Sequence, residues 1–472
     1  MTNNSPAGII LAAGKGTRMK SELPKCVFPV CGLPMADHIG RAMRKAGVEK
    51  IVVVVGHGRE ALISALGQSY EYAIQHEQKG TGDAALSASE NLKGFEGPVL
   101  IAAGDTPLMT SDVFETLLHT HKDTNAGMTV ATCTVANPHG YGRVLRSPDG
   151  DVQRIVEHKD ASSDEKLVNE INSANYCVDG RLLFALLPQL TNDNSQGEYY
   201  LPDLIALVQK VNRRTVACLI EDESFLLGVN DRWQLAEASQ IMGRRILREL
   251  AVSGVTFIDP DSTYIGPDVS VGQDCVIHPM TVIEGKSKIG QSCEIGPSSR
   301  IKNSEIGDRS SILMSNLDQV RVGNGVTCGP FANLRPGSVI GDNAKIGNFV
   351  ETKNSLIQTG AKVSHLSYIG DAEVGEDANI GAGTITCNYD GFLKHRTKIG
   401  ANAFVGSNST LVAPISIGNG AIIAAGSVIT SDVPTDSLGL GRSRQEVKSD
   451  WAPAFRAKKL SEKAERRNNK CD

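Results

Sequence analysis

Ile265-Gly266, Val271-Gly272, Ile277-His278, Ile283-Glu284, Ile289-Gly290 and Ile295-Gly296 set a branched aliphatic at every sixth position, usually followed by glycine. The pattern returns as Ile340-Gly341 and Ile346-Gly347. It returns again from Ile399-Gly400 through Val405-Gly406, Leu411-Val412, Ile417-Gly418 and Ile423-Ala424 to Ile429-Thr430. A fixed short period denotes a solenoid, and six residues is the period of a parallel β-helix. Each aliphatic is expected to point into a triangular prism built from three hexads per coil. Coils then stack at strand spacing, about 4.8 Å. Glycine relaxes corners where φ turns positive.

Where the phase slips, loops or bulges are expected, and with them binding positions. The spacing shortens to five between Ile301 and Ile306 and drifts across residues 316–322. The largest interruption separates Ile380-Gly381 from Ile399-Gly400. It holds Tyr389-Asp390-Gly391, a turn signal at the tip of an extruded loop.

Upstream of the hexads the periodicity is helical. Residues 231–252 contain no proline and space Trp233, Ala236, Ile241 and Leu247 as one connecting helix, with Arg244-Arg245 read as a solvated face. Further upstream, short apolar strands at residues 7–12, 51–55 and 99–103 alternate with helical stretches at 59–66 and 81–91. That alternation predicts an α/β domain with a mostly parallel sheet covered on both faces and ligands at the strands' carboxyl ends. The expected division is a nucleotide-type α/β domain over 1–230, a linker helix over 231–254, a β-helix over 255–442, and a tail over 443–472. That tail is basic, lacks an apolar period and is expected to be flexible.

The whole chain has 472 residues, a net charge of −5 and ten cysteines without a Cys-x-x-Cys pair. The charge gives no reason to expect a nucleic-acid partner. Cys133, Cys177 and Cys218 lie in apolar runs and read as buried reduced thiols. No basic segment followed by an apolar one opens the chain, and no apolar run reaches 18 residues. A soluble cytoplasmic protein is expected.

Two motifs carry chemistry in the first half. Leu11-Ala12-Ala13-Gly14-Lys15-Gly16-Thr17-Arg18-Met19, with Lys25 after Leu23-Pro24, follows the first strand. Its glycines let backbone N–H groups close on phosphate oxygens, while Arg18 and Lys25 supply cations for a triphosphate. It is neither a P-loop nor the dinucleotide fingerprint, since the spacing of both is missing. Gly104-Asp105 ends another strand. A carboxylate there suits Mg²⁺, which takes one or two protein oxygens and keeps water and phosphate for the rest; the bland alternative is a cap for the helix near Thr110.

With Gln75-His76-Glu77-Gln78-Lys79-Gly80-Thr81, Gly140-Tyr141-Gly142-Arg143, Glu157-His158-Lys159-Asp160, Glu170-Ile171-Asn172 and Gly228-Val229-Asn230, these motifs resemble the sugar-1-phosphate nucleotidyltransferases. They are most similar to the uridyltransferase half of the bifunctional N-acetylglucosamine-1-phosphate uridyltransferases/glucosamine-1-phosphate acetyltransferases. The resemblance implies that Leu11, Ala12, Ala13 and Gly14 with Gln75, Gly80 and Thr81 hold uridine. It implies that Arg18 and Lys25 hold phosphates, that Gly140, Glu157 and Asn172 hold the sugar, and that Asp105 with Asn230 holds Mg²⁺. Ala103 stands where an aromatic residue is usual, beside Gly104, and Phe28 stands where histidine is usual; Cys26 and Cys31 are also departures.

In the second half, His365 stands inside Val363-Ser364-His365-Leu366-Ser367. Read by itself it could be a metal ligand, a surface imidazole or a general base. No second histidine occurs in the adjacent hexads. Residues 348–353, 365–370, 379–384, 386–391 and 404–407 resemble the acetyltransferase half of the same bifunctional family. That resemblance implies His365 as base toward the glucosamine amine, and Arg335, Lys353, Tyr368 and Asn379 on the sugar phosphate. It further implies Ala382, Asn388, Tyr389, Ser407, Ala425 and Arg442 around acetyl-CoA. It also implies a left-handed hand for the β-helix, a homotrimer, and UDP-N-acetylglucosamine made from UTP, glucosamine-1-phosphate and acetyl-CoA. The alternative is a monofunctional nucleotidyltransferase whose solenoid only oligomerises and regulates.

Overall fold

A computed structural model describes residues 5–468. The first four residues, on which the reading of the N-terminus partly rests, lie outside that range, as does Cys471. The chain forms two compact units, residues 1–270 with 282–287, and residues 271–281 with 288–472.

The first unit is built on a twisted sheet. Its strands run in the order Thr215–Leu219, Met128–Thr134, Glu170–Asp179, Pro98–Ala103, Ala7–Leu11, Lys50–Val55 and Glu71–Ile74. All pairings are parallel except those of Glu170–Asp179, which opposes both neighbours and also carries the hairpin Arg143–Arg146/Val152–Val156. The apolar run Val52–Val55 is fully buried because alternate side chains feed two cores. Val53 and Val55 belong to one core with Ile39, Phe114 and Leu117, and Val52 and Val54 to the other with Ala85, Leu92 and Ile205. A strand buried on both faces reads as continuous apolar sequence rather than alternation.

A third, smaller core gathers Met19, Phe28, Val30, Met35, Leu108, Val229 and Ala238. It fastens the helix Arg232–Val252 to the segments that bear Arg18, Lys25, Asp105 and Asn230. The expectation of a solvated Arg244-Arg245 face is half corrected here. Arg244 is exposed and pairs with Asp261. Arg245 instead donates to the Leu108 carbonyl (2.7 Å) and Ser224 Oγ (2.9 Å) and lies over the Phe225 ring. A guanidinium carries five donors, and these partners take two of them while its face packs on an aromatic ring.

In the second unit the hexads form three parallel sheets in unbroken register, as Glu294↔Ser311↔Thr327↔Lys345↔Lys362↔Asn379↔Phe404↔Ile422 shows for one of them. Each coil sends one side chain per face into the prism, for example Ile306, Ile312 and Leu317, or Ile357, Val363 and Ile369, all buried. Thr352 and Thr386 replace the aliphatic on one face. Thr352 donates to Ser338 Oγ (2.9 Å), and Thr386 Oγ1 accepts from Gly370 N (2.8 Å).

The phase slips are not loops. Five-residue spacings close as tight corners at Asn303, Gln319, Asn354 and Asp371, with φ between +46° and +52°. Six-residue corners such as those at Asp274, Met280 and Ser292 carry a left-handed residue as well, and the strands on either side stay paired in both kinds. Only the interruption after Ile380 leaves the prism. There Asp390 Oδ1 accepts from Phe392 N and Leu393 N, and His395 N returns to the Asn388 carbonyl at 2.9 Å.

Part of the tail is helical. Trp451–Asn468 is an α-helix, exposed along almost all of its described side chains. Ala, Lys, Glu and Arg are strong helix formers, and a Lys459–Glu462 pair lies one turn apart. Among the described residues no helix is long and apolar enough to cross a membrane.

Candidate active sites

At the carboxyl ends of the parallel strands, the loop after Leu11 folds over Lys25. Gly16 adopts φ +60°, and a Cβ there would meet Lys25 Cβ at 2.5 Å, so glycine permits the approach. Lys25 Nζ pairs with the Asp105 carboxylate and lies 3.3 Å from Asn230 Oδ1. Arg18 Nη2 donates to the same Asn230 oxygen at 2.8 Å. Two cations, one carboxylate and one amide oxygen therefore converge from three distant stretches of chain. Asn230 is fixed by its own backbone, which donates to Gln234 Oε1 (2.7 Å), and the preceding Val229 N donates to the Asp105 carbonyl (2.8 Å). Cys26 backs the site. Burial pushes its thiol up to about 12, Asp105 adds to this, and Lys25 opposes it.

The loop over residues 75–81 is equally braced. Gln78 Nε2 donates to the Ala13 carbonyl (3.1 Å), tying it to the loop after Leu11. Thr81 Oγ1 accepts from Leu201 N (2.9 Å). Gln75 borders a cleft of about 600 Å³ shared with Lys15, His57, Arg59 and His76. Gly104 N donates to the Leu11 carbonyl (2.8 Å), which holds Ala103 and Gly104 beside the same loop.

Glu157 and Asn172 meet at Gly142. Asn172 N donates to the Gly142 carbonyl (2.9 Å), and a Cβ on Gly142 would lie 3.2 Å from Glu157 Oε1. Gly140 sits in the adjoining loop at φ +87°. The Asn172 amide donates to Tyr176 OH (2.8 Å) and accepts from Ala174 N (3.0 Å), leaving one donor and one acceptor position. Burial, then the charges of Asp160 and Asp203, hold the Glu157 carboxyl above its ordinary range. No cation partner reaches it among the described residues.

In the second unit, stacking of coils makes the site. His365 pairs in register with Asn348, and His365 Nδ1 lies 2.6 Å from Asn348 Oδ1. One face over, Arg335 pairs with Glu351 (2.8 Å), which is in register with Tyr368. Lys353 stands near Lys394 of the extruded loop and holds that ammonium below its ordinary range. Asp371 accepts from Asn354 (2.6 Å) and from Asn388. Burial raises its carboxyl, but those two bonds and the Lys353 and Lys394 charges outweigh burial and lower it.

Ala382, Ser407 and Ala425 follow one another along one corner. Asn408 N donates to the Ala382 carbonyl and Gly426 N to the Ser407 carbonyl. Asn379 opens the strand Asn379–Ile380 in register with Lys362 and Phe404. Tyr389 is exposed on the loop, its hydroxyl donating to the Gly391 carbonyl (2.5 Å), and Arg442 is exposed after the last strand. Asn348, Glu351, Asp371 and Lys394 are further members that motif reading did not single out. Among the described residues no group of three or more His, Cys, Asp or Glu side chains could hold a metal ion.

This arrangement is that of a nucleotidyltransferase joined to a hexapeptide-repeat transferase. The MobA-like NTP transferase domain matches residues 8–173, the bacterial transferase hexapeptide (six repeats) matches 319–354, and the hexapeptide repeat of succinyl-transferase matches 396–431. The solenoid is thus a left-handed parallel β-helix. Bifunctional protein GlmU of Geobacillus thermodenitrificans is 49% identical over 453 residues, 96% of this chain and 99% of that protein. Those of Halalkalibacterium halodurans and Bacillus velezensis are 48% and 49% identical, each over 94% of this chain and 97% of their own length.

The chain belongs to the bifunctional GlmU family. It is an enzyme with both transferase activities of UDP-N-acetylglucosamine synthesis, uridylyl transfer and acetyl transfer. Membership brings use of a divalent cation, small-molecule substrates and self-association.

Proposed function

We propose that acetyl transfer comes first and runs on His365. The amine of glucosamine-1-phosphate attacks the acetyl-CoA carbonyl, His365 Nε2 takes its proton, the C–N bond forms, and the C–S bond breaks to release CoA thiol. The pairing of His365 Nδ1 with Asn348 Oδ1 is the observation that carries this reading. With Nδ1–H donating to the amide oxygen, the lone pair lies on Nε2. Arg335 and Lys353 clamp the 1-phosphate, Tyr368 and Asn379 hold the ring, and Ala382, Asn388, Tyr389, Ser407, Ala425 and Arg442 border CoA.

Uridylyl transfer follows. The phosphate of N-acetylglucosamine-1-phosphate attacks the α-phosphorus of UTP and pyrophosphate leaves. Arg18 and Lys25 neutralise charge that builds on the phosphates, and positioning supplies most of the remaining rate. Asp105 and Asn230 would hold Mg²⁺. The fit is chemical: their two hard oxygens already face one cation, Lys25 Nζ. When bound, the metal supplies further neutralisation of phosphate oxygens. The enzyme works in the cytoplasm as a homotrimer joined through the β-helix. The exposed, stacked Phe331 and Phe349, with Leu366 beside His365, support self-association, because an apolar stripe of this kind calls for cover.

Thiol release from acetyl-CoA, measured with glucosamine-1-phosphate and then with galactosamine-1-phosphate, tests the acetyl half. Release that requires the amino sugar phosphate is expected. Release at the same rate without any amino sugar would defeat the reading.

A further inference from the structure

Gln75 is a buried side chain with an unusual allocation of hydrogen bonds. Its Nε2 donates to the Gly80 carbonyl at 3.1 Å and to Asp83 Oδ2 at 2.7 Å. Both partners can only accept, so the nitrogen of the amide must face them and the amide cannot be turned over. Its two protons are thereby used. What Gln75 has left is Oε1, an acceptor, which no donor among the described residues reaches.

Asp83 stands in the first turn of the helix Thr81–Ser87, where a carboxylate ordinarily serves the helix dipole or reaches back to the N-cap N–H. Here no side-chain bond caps the helix, and the carboxylate points at Gln75 instead.

We propose that Asp83 is a specificity-determining positioning residue: it locks the Gln75 amide so that only its oxygen is offered to the base. This rests on the reading that Gln75 meets the pyrimidine. An outward acceptor suits the N3–H donor of uracil. It opposes the bare N3 acceptor of cytosine, since two acceptors facing each other leave both unpaired. Without the carboxylate only the Gly80 carbonyl holds the amide against a half turn, after which its NH₂ could serve cytosine.

The test compares kcat/KM for UTP and CTP in uridylyl transfer by the full-length enzyme, with Mg²⁺ and saturating N-acetylglucosamine-1-phosphate, for wild type, Asp83→Asn, Asp83→Glu and Gln75→Ala. Asp83→Asn is expected to lower the UTP/CTP ratio by at least about tenfold, through a fall for UTP and a rise for CTP. Asp83→Glu should retain most of the ratio. A merely structural Asp83 would lower both nucleotides together and leave the ratio where it was. That result, in an Asp83→Asn protein with undiminished acetyl transfer, overturns the proposal. Gln75→Ala separates the two layers. If it too leaves the ratio and the KM for UTP unchanged, the base-reading role of Gln75 falls and the lock falls with it. If it changes them while Asp83→Asn does not, only the lock is wrong.

Discussion

His365 Nδ1 sits 2.6 Å from Asn348 Oδ1, one coil below it and 17 residues earlier in the chain. An amide oxygen can only accept, so Nδ1–H faces it and the lone pair on Nε2 is left to accept a proton. His365→Ala is expected to lower acetyl transfer by at least about 10²-fold, the scale of a lost general base, with uridylyl transfer unchanged. Asn348→Ala keeps the base but frees its rotation, and about a tenfold loss of acetyl kcat is expected. Coupled thiol-release and pyrophosphate-release assays on each variant measure both. An acetyl rate equal to wild type in His365→Ala would remove the base from the mechanism.

Asp105 gives the opposite separation. Its carboxylate and the Asn230 oxygen share Lys25, and all three hang on the small core around Met19, Leu108 and Val229. Asp105→Ala is expected to abolish uridylyl transfer and leave acetyl transfer intact. Asp105→Asn keeps the shape but loses the charge, so the Mg²⁺ concentration giving half-maximal rate should rise. Titration of the metal against pyrophosphate release reads this directly; an unchanged midpoint would take Asp105 out of the metal site.

How much of this was legible in the chain depends on how far apart the partners lie. The hexads announce the prism because one buried aliphatic per face recurs at fixed spacing. The slips misled because the left-handed residues that close the five-residue corners, Asn303, Asn354 and Asp371, look no different in sequence from those at six-residue corners such as Asp274 and Ser292. Arg245 looked solvated since its acceptor, the Leu108 carbonyl, lies 137 residues away. Asn348, Asp371 and Lys394 gain meaning only from coil stacking, which places residues some 17 positions apart in contact. Asp83 was invisible for a different reason, since a carboxylate in a first helical turn has an ordinary explanation already.

Glu157, proposed to meet the sugar, carries a cost to the fold. Its carboxyl is held above the ordinary range by burial and by Asp160 and Asp203. A raised folded-state pKa means that the native state binds the extra proton. Glu157 therefore weakens the fold as pH rises through that window, and does so fully above it. Glu157→Gln removes the charge, so a higher Tm at pH 7.5 is expected together with a KM for N-acetylglucosamine-1-phosphate raised by about tenfold or more. The KM for UTP should hardly move. A variant with lower Tm and unchanged sugar-phosphate KM would mean that Glu157 serves the fold and not the sugar.

The pH dependence of stability has a second source, of opposite sign. His121 is buried on the helix Ser111–Asp123, its Nδ1 3.0 Å from Thr129 Oγ1. Burial lowers its pKa to about 4, with Asp179 opposing and Arg213 reinforcing the shift. Here the unfolded chain binds the extra proton, because its imidazole titrates near 6.5. Stability is therefore complete above about pH 6.5 and is lost progressively as pH falls toward 4. The loss can reach about 3 kcal/mol, at 1.36 kcal/mol per unit of pKa difference. His121→Asn retains a polar side chain at this site and cannot titrate. Its urea midpoint should lie below that of the wild type at pH 7.5, through lost packing, and the gap should narrow or close at pH 5. A gap that stays constant between the two pH values would show that folding does not shift the His121 pKa.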